Sequence, residues 1–92
     1  MLRITVHQDV NSNVLLLEGK LIGAWVDEVR AVWSKVQSKC RGQTTRVSLT
    51  AVSGIDSAGR RLLTEIYSAG GVLVGTGLFA RALIEEITGV VL

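Results

Sequence analysis

The chain opens on strict alternation: Leu2, Ile4 and Val6 are apolar, and Arg3, Thr5 and His7 between and after them are polar. A period of two predicts a half-buried strand. Gln8 to Asn13 is turn chemistry, rich in Asp, Asn and Ser. Val14 to Leu17 is an unbroken apolar run, the pattern of a strand covered on both faces. It lies close enough to the first strand to pair with it as a hairpin. The period then becomes helical: Ile22, Trp25, Val26, Val29, Val32, Trp33 and Val36 share one stripe, with Lys20, Asp27, Glu28, Arg30, Ser34 and Lys35 opposite.

Ser38 to Thr45 reads as a polar loop, and Val47 and Leu49 mark a short third strand. Gly54-Ile55-Asp56-Ser57 starts a second helix whose inner face is Ala58, Leu62, Leu63, Ile66 and Ala69, stopped at Gly70-Gly71. Val72 to Val74 is a fourth strand. Thr76 is the expected cap of a last helix with Phe79, Ala82, Leu83 and Ile87 inward and Gly89 as its stop, before the apolar tail Val90-Val91-Leu92. Trp25, Trp33 and Phe79 are expected in the core, and Tyr67 at its boundary. The order β-β-α-β-α-β-α predicts one α/β domain over residues 1–92. Its sheet is four-stranded, mixed and mostly parallel, with an initial β-hairpin, right-handed crossovers and three main helices.

Composition sharpens this. With 48% hydrophobic residues, no proline and a mean hydropathy of +0.41, the chain is not disordered. A domain of 92 residues buries only about 60–65% of its unfolded surface, so some apolar surface is expected to face a partner, which leaves a homodimer open. No apolar run reaches the ~18 residues of a membrane span, so no membrane insertion is expected. The single Cys40 forms no internal disulfide, and without a signal-like N-terminal segment the expected compartment is a reducing cytoplasm. The net charge of +2 is spread along the chain and only 4% of residues are aromatic, which argues against nucleic-acid binding.

Catalytic chemistry is sparse. His7 is the lone histidine, which cannot supply a zinc shell, and a histidine on a strand is far more often a surface or satisfied residue than the base of a triad; no metal or cofactor is expected. Glu85 and Glu86 are adjacent and point to different sides of a helix. Cys40 between Lys39 and Arg41 has a mildly thiolate-favouring setting and no further machinery. Gly71 to Gly77 lacks both the dinucleotide-binding spacing and a phosphate-loop lysine, and reads as a strand-to-helix turn. The chain is therefore not expected to be an enzyme.

The junction Ser53-Gly-Ile-Asp-Ser-Ala-Gly59 is the exception. Asp56 and Ser57 both have short oxygen-bearing side chains at a helix start, and either could cap it. Alternatively Ser57 offers an exposed hydroxyl where a phosphate would meet free N–H groups and the positive end of the helix dipole, with Arg60 and Arg61 one turn on to pair with it.

Ile55-Asp56-Ser57-Ala58-Gly59 after a short strand resembles the central signature of STAS domains, the fold of the bacterial anti-sigma factor antagonists. Val14-Leu-Leu-Leu-Glu-Gly19 is similar to that family's second strand, and Gly70 to Gly75 followed by a helix ending Ile87-Thr88-Gly89 to its closing segment. The resemblance covers nearly the whole chain. It implies that Ser57 is phosphorylated by a partner that is both anti-sigma factor and serine kinase, of the histidine-kinase-like ATPase type. It also implies that Asp56, Ala58, Gly59 and, more loosely, the Gly19–Gly23 loop form the recognition surface. Ser48 stands where the family usually has an acidic residue, Arg60 replaces a residue that is usually apolar, and Arg61 adds a second charge after it, altering the surface a partner meets. The implied function is a non-catalytic module in a phosphorylation-controlled partner switch. The competing expectation is a constitutive STAS accessory subunit of a lipid-transporting ABC transporter, which the apolar excess would suit.

Overall fold

The computed structural model describes residues 1–10, 12–39 and 43–89. The elements are β1 (Leu2–Gln8), β2 (Ser12–Leu21), α1 (Ala24–Lys39), β3 (Thr44–Ile55), α2 (Ser57–Ser68), β4 (Val72–Val74) and α3 (Leu78–Thr88). The predicted order is observed, with four strands in the spatial order β1-β2-β3-β4. β1 pairs antiparallel with β2, and β2–β3 and β3–β4 are parallel.

This strand order decides where the helices lie. Each parallel crossover steps to the next strand in the same direction, and right-handed crossovers taken in one direction place their helices on one face. α1, α2 and α3 accordingly pack on β2, β3 and β4 from a single side. Along β2, Leu15, Leu17 and Leu21 are fully buried while Val14, Leu16 and Glu18 are only half-buried. The expectation that Val14 to Leu17 is covered on both faces is thus corrected: the fold has two layers, one of strands and one of helices. On the covered face, Val47 and Leu49 of β3 meet Val29 of α1 and Leu62, Leu63 and Ile66 of α2 in one core. Full burial of each large aliphatic side chain contributes roughly 1.5–3 kcal/mol.

The helical stripes are shorter than their spacing suggested. In α1 the buried positions are Val26, Val29, Trp33 and Val36; Ile22 precedes the helix and Trp25 is 36% exposed. In α2, Gly59 replaces Ala58 and Ala69 on the inner face. In α3, Ala80, Leu83 and Ile84 are buried, while Ala82 is exposed and Phe79 is 44% exposed. Trp33 is core as expected; Trp25 and Phe79 are not. Gly77, not Thr76, occupies the N-cap of α3, because the Thr76 N–H is drawn back to Thr50 Oγ1 at 3.0 Å. α1 runs on to Lys39, and Cys40, Arg41 and the Val90–Leu92 tail lie outside the described residues.

Candidate partner-recognition site

The three parallel strands run in one direction, so each hands its chain to a helix at the same end of the sheet. β2 passes through Ile22 and Gly23 into α1, β3 through Asp56 into α2, and β4 through Gly75–Gly77 into α3. In open α/β sheets this end is where ligands and partners are met.

Asp56 organises it. Its backbone is extended (φ −104°, ψ −176°) at the N-cap of α2, and its carboxylate serves two segments. Oδ1 accepts from the Gly59 N–H at 2.8 Å, closing the first turn, and Oδ2 accepts from the Gly23 N–H at 2.9 Å, thirty-three residues away in sequence. Gly23 has φ +56°, a left-handed conformation that glycine takes without side-chain strain. These two N–H donors, Gly23 first and Gly59 second, hold the Asp56 carboxyl below its ordinary pKa. The same side chain thus caps a helix and ties the β2–α1 turn to it.

Because Asp56 is the cap, Ser57 is released from that duty. It is the first residue of α2 and exposed, and its hydroxyl has no hydrogen-bond partner among the described residues. Ala58 beside it is also exposed. Gly59 is not: it is buried, and a Cβ there would lie 2.6 Å from Ile55 Cγ1 and 2.6 Å from the Leu21 carbonyl oxygen. Gly59, expected on the recognition surface, is thus buried within the junction, where the lack of a Cβ lets α2 approach β2 and β3 closely. Gly19 lies inside β2, paired with Leu2, so only Gly23 of the expected Gly19–Gly23 loop belongs to this end.

Arg60 and Arg61 are both exposed. Arg60 reaches across to α3, its Nε 3.1 Å from Glu86 Oε1, while Arg61 has no ion-pair partner among the described residues. Ser48 is remote from this end, half-buried mid-strand on the helix-free face. Four exposed apolar side chains share the crossover end with Ser57: Ile22, Trp25, Leu78 and Phe79, with Leu78 90% exposed. Periodicity placed Trp25 and Phe79 in the core because it cannot tell that a helix's first turn overhangs the sheet. A glycine immediately before each helix start (Gly23, Gly77) is the signal that could have marked them.

Among the described residues no three His, Cys, Asp or Glu side chains cluster as metal ligands would. No helix among them is long and apolar enough to cross a membrane.

No protein-family model matches the chain, and no curated protein is significantly similar to it. Solved structures are. An anti-sigma factor antagonist from Mycobacterium paratuberculosis superposes with a TM-score of 0.79 at 18% identity, covering 97% of this chain and 79% of that one. The anti-sigma factor antagonist SpoIIAA in its unphosphorylated form gives 0.64 at 19% identity, over 90% and 82% of the two chains. The protein Mglu gives 0.63 at 22% identity over 80% of this chain, which spans only 19% of Mglu's length. The fold is therefore STAS-like, that of the anti-sigma factor antagonists.

Proposed function

We propose that this domain is a regulatory protein-binding module whose contact with its partner is switched off by phosphorylation of Ser57. The observation that carries the reading is the division of labour between neighbours: Asp56 caps α2 with Oδ1 and holds the Gly23 turn with Oδ2, leaving the Ser57 hydroxyl exposed and unbonded. Around it stand Ala58, Arg60, Arg61 and the Gly23 turn, together with the exposed Ile22, Trp25, Leu78 and Phe79. An apolar rim with a small hydroxyl at its centre suits a protein surface laid over it. The fold shared with anti-sigma factor antagonists supports an anti-sigma factor of the histidine-kinase-like ATPase type as that partner.

The switching step is a phosphoryl transfer from ATP held by the partner. Ser57 Oγ bonds to the γ-phosphorus, the bond to the β,γ-bridging oxygen breaks, ADP leaves, and the hydroxyl proton passes to a base of the kinase. The product carries about −1.5 to −2 charges where a neutral hydroxyl stood. The dipole of α2 tolerates that charge within the free domain, whereas an interface that desolvates it does not, so the modification acts on binding more than on folding.

A tagged copy recovered from its native host and weighed intact tests this. The expected result is a histidine-kinase-like ATPase in the eluate and a phosphate-sized mass increase mapping to Ser57. An ABC-type ATPase retained at high salt with Ser57 unmodified would overturn it in favour of a constitutive transporter subunit.

A further inference from the structure

The helix-free face of the sheet has a pattern of its own. Alternation places Val14, Leu16 and Glu18 of β2 on it, with Arg46 and Ser48 of β3 and Val72 and Val74 of β4, opposite the buried Leu15, Leu17, Val47, Leu49 and Leu73. Strand pairing aligns Val14, Arg46 and Val72 in one row and Leu16, Ser48 and Val74 in the next. An open antiparallel or mixed sheet usually meets water with polar side chains; here Val14, Leu16, Val72 and Val74 make an apolar strip, bordered on β1 by His7, Thr5 and Arg3. Arg46 sits between two valines in its row and is in no ion pair among the described residues. Glu18 stands at the other end of the strip on the neighbouring strand, four residues beyond Val14, and is likewise in none of them; Arg3 is its cross-strand neighbour.

We infer that this face docks a second copy of the chain, sheet against sheet about a two-fold axis, with Arg46 of each copy paired to Glu18 of the other. The charge layout selects that occupant. An axis lying between the sheets, perpendicular to the strands and through the Leu16–Ser48 row, reverses strand direction and preserves strand position. Row spacing is roughly 6.6 Å, so Arg46 of one copy falls over the Glu18 end of the other, displaced by about one strand spacing of ~4.8 Å. Both ends of the strip are then satisfied by the same operation, as an isologous interface requires. Leu16 meets Leu16 and Val74 meets Val74, side chains of a size that fills the ~10 Å between packed sheets. An anionic membrane fits less well, because Glu18 lies on the face and no aromatic residue does. The contact rests on four apolar side chains and one charge pair at each end, so the dimer is expected to be weak and salt-sensitive. It leaves the Ser57 end of the sheet free and does not depend on the function proposed for it.

Sedimentation velocity from micromolar to millimolar protein tests the inference. The full chain should show a concentration-dependent dimer, weakened by salt. Arg46→Glu and Glu18→Arg should each weaken self-association by at least ~10-fold, while an equimolar mixture of the two variants should recover it by restoring opposite charges on both sides. Leu16→Ser, with circular dichroism to confirm folding, should also give monomer. A wild-type chain that stays monomeric to millimolar concentration overturns the inference. So does a dimer insensitive to both charge reversals, or sedimentation with anionic phospholipid vesicles in place of self-association.

Discussion

α2 and α3 both begin where a parallel strand ends, at the same end of one sheet, and they begin in opposite ways. α2 starts on a carboxylate that holds two backbone N–H groups and on a glycine buried against Ile55 and Leu21. α3 starts on Gly77 with no side-chain cap, and its first two residues, Leu78 and Phe79, are 90% and 44% exposed. The first start spends its side chains on internal contacts, which fixes the position of the Ser57 hydroxyl. The second leaves apolar surface in water, where it stabilises nothing within the domain. On the proposed function, the first start presents the hydroxyl in a defined place and the second supplies apolar contact beside it.

The contrast is broken most severely at Gly59. Gly59→Ala puts a Cβ against the Leu21 carbonyl, a backbone atom that cannot move aside, and should cost about 2–3 kcal/mol of stability in urea unfolding. Removal of the cap comes next: Asp56→Ala should lower Tm by about 5 °C and loosen the Gly23 turn, seen as faster amide exchange at Gly23 and Gly59. The same carboxylate gives a pH dependence. Its pKa is depressed in the folded state from an ordinary value of 3.8, so its stabilisation is complete above that value and is lost as pH falls through the folded pKa. The Tm advantage of the wild type over Asp56→Asn should therefore be constant near neutrality and shrink below about pH 4.

At α3 the expectation is reversed. Leu78→Ser should change stability by no more than about 0.5 kcal/mol and Phe79→Ser, at a residue 44% exposed, by about 1 kcal/mol, yet each should weaken partner binding by ~10-fold or more in titration calorimetry. If either variant costs the ~2–3 kcal/mol of stability expected for Gly59→Ala, the contrast between the two helix starts is wrong. The smallest effect is expected at Arg60→Gln. Its pair with Glu86 is exposed on both sides, so its loss should cost about 0–1 kcal/mol, read as a small shift in the same urea transition.

Much of this architecture was legible in the chain. The switch from a period of two at Leu2–Val6 to a helical period after Gly23 located the elements, and the Asp56–Ser57 pair marked the start of α2 and its cap. Two things were hidden for physical reasons. The run Val14–Leu17 identifies a strand but not how many of its faces are covered, because coverage depends on strand order, and strand order is set by contacts distant in sequence. Helical spacing likewise groups Trp25 with Val26 and Val29, and Phe79 with Leu83, without showing where each helix passes the edge of the sheet. Gly59 illustrates the same limit: a glycine in a first turn reads as accessible backbone until the Leu21 carbonyl is found beside it. The Arg60–Glu86 pair joins two helices and leaves no trace in local spacing.

On the proposed function, one added phosphate at Ser57 ends a protein contact that the hydroxyl permits. The direct test is the affinity of the ATPase recovered from the host for three forms of the domain: wild type, Ser57→Ala, and a form carrying phosphoserine installed at position 57 during synthesis. Equal binding is expected for the first two, and a loss of ~100-fold or more for the third, about 2.7 kcal/mol. Equal affinity for all three forms would contradict it.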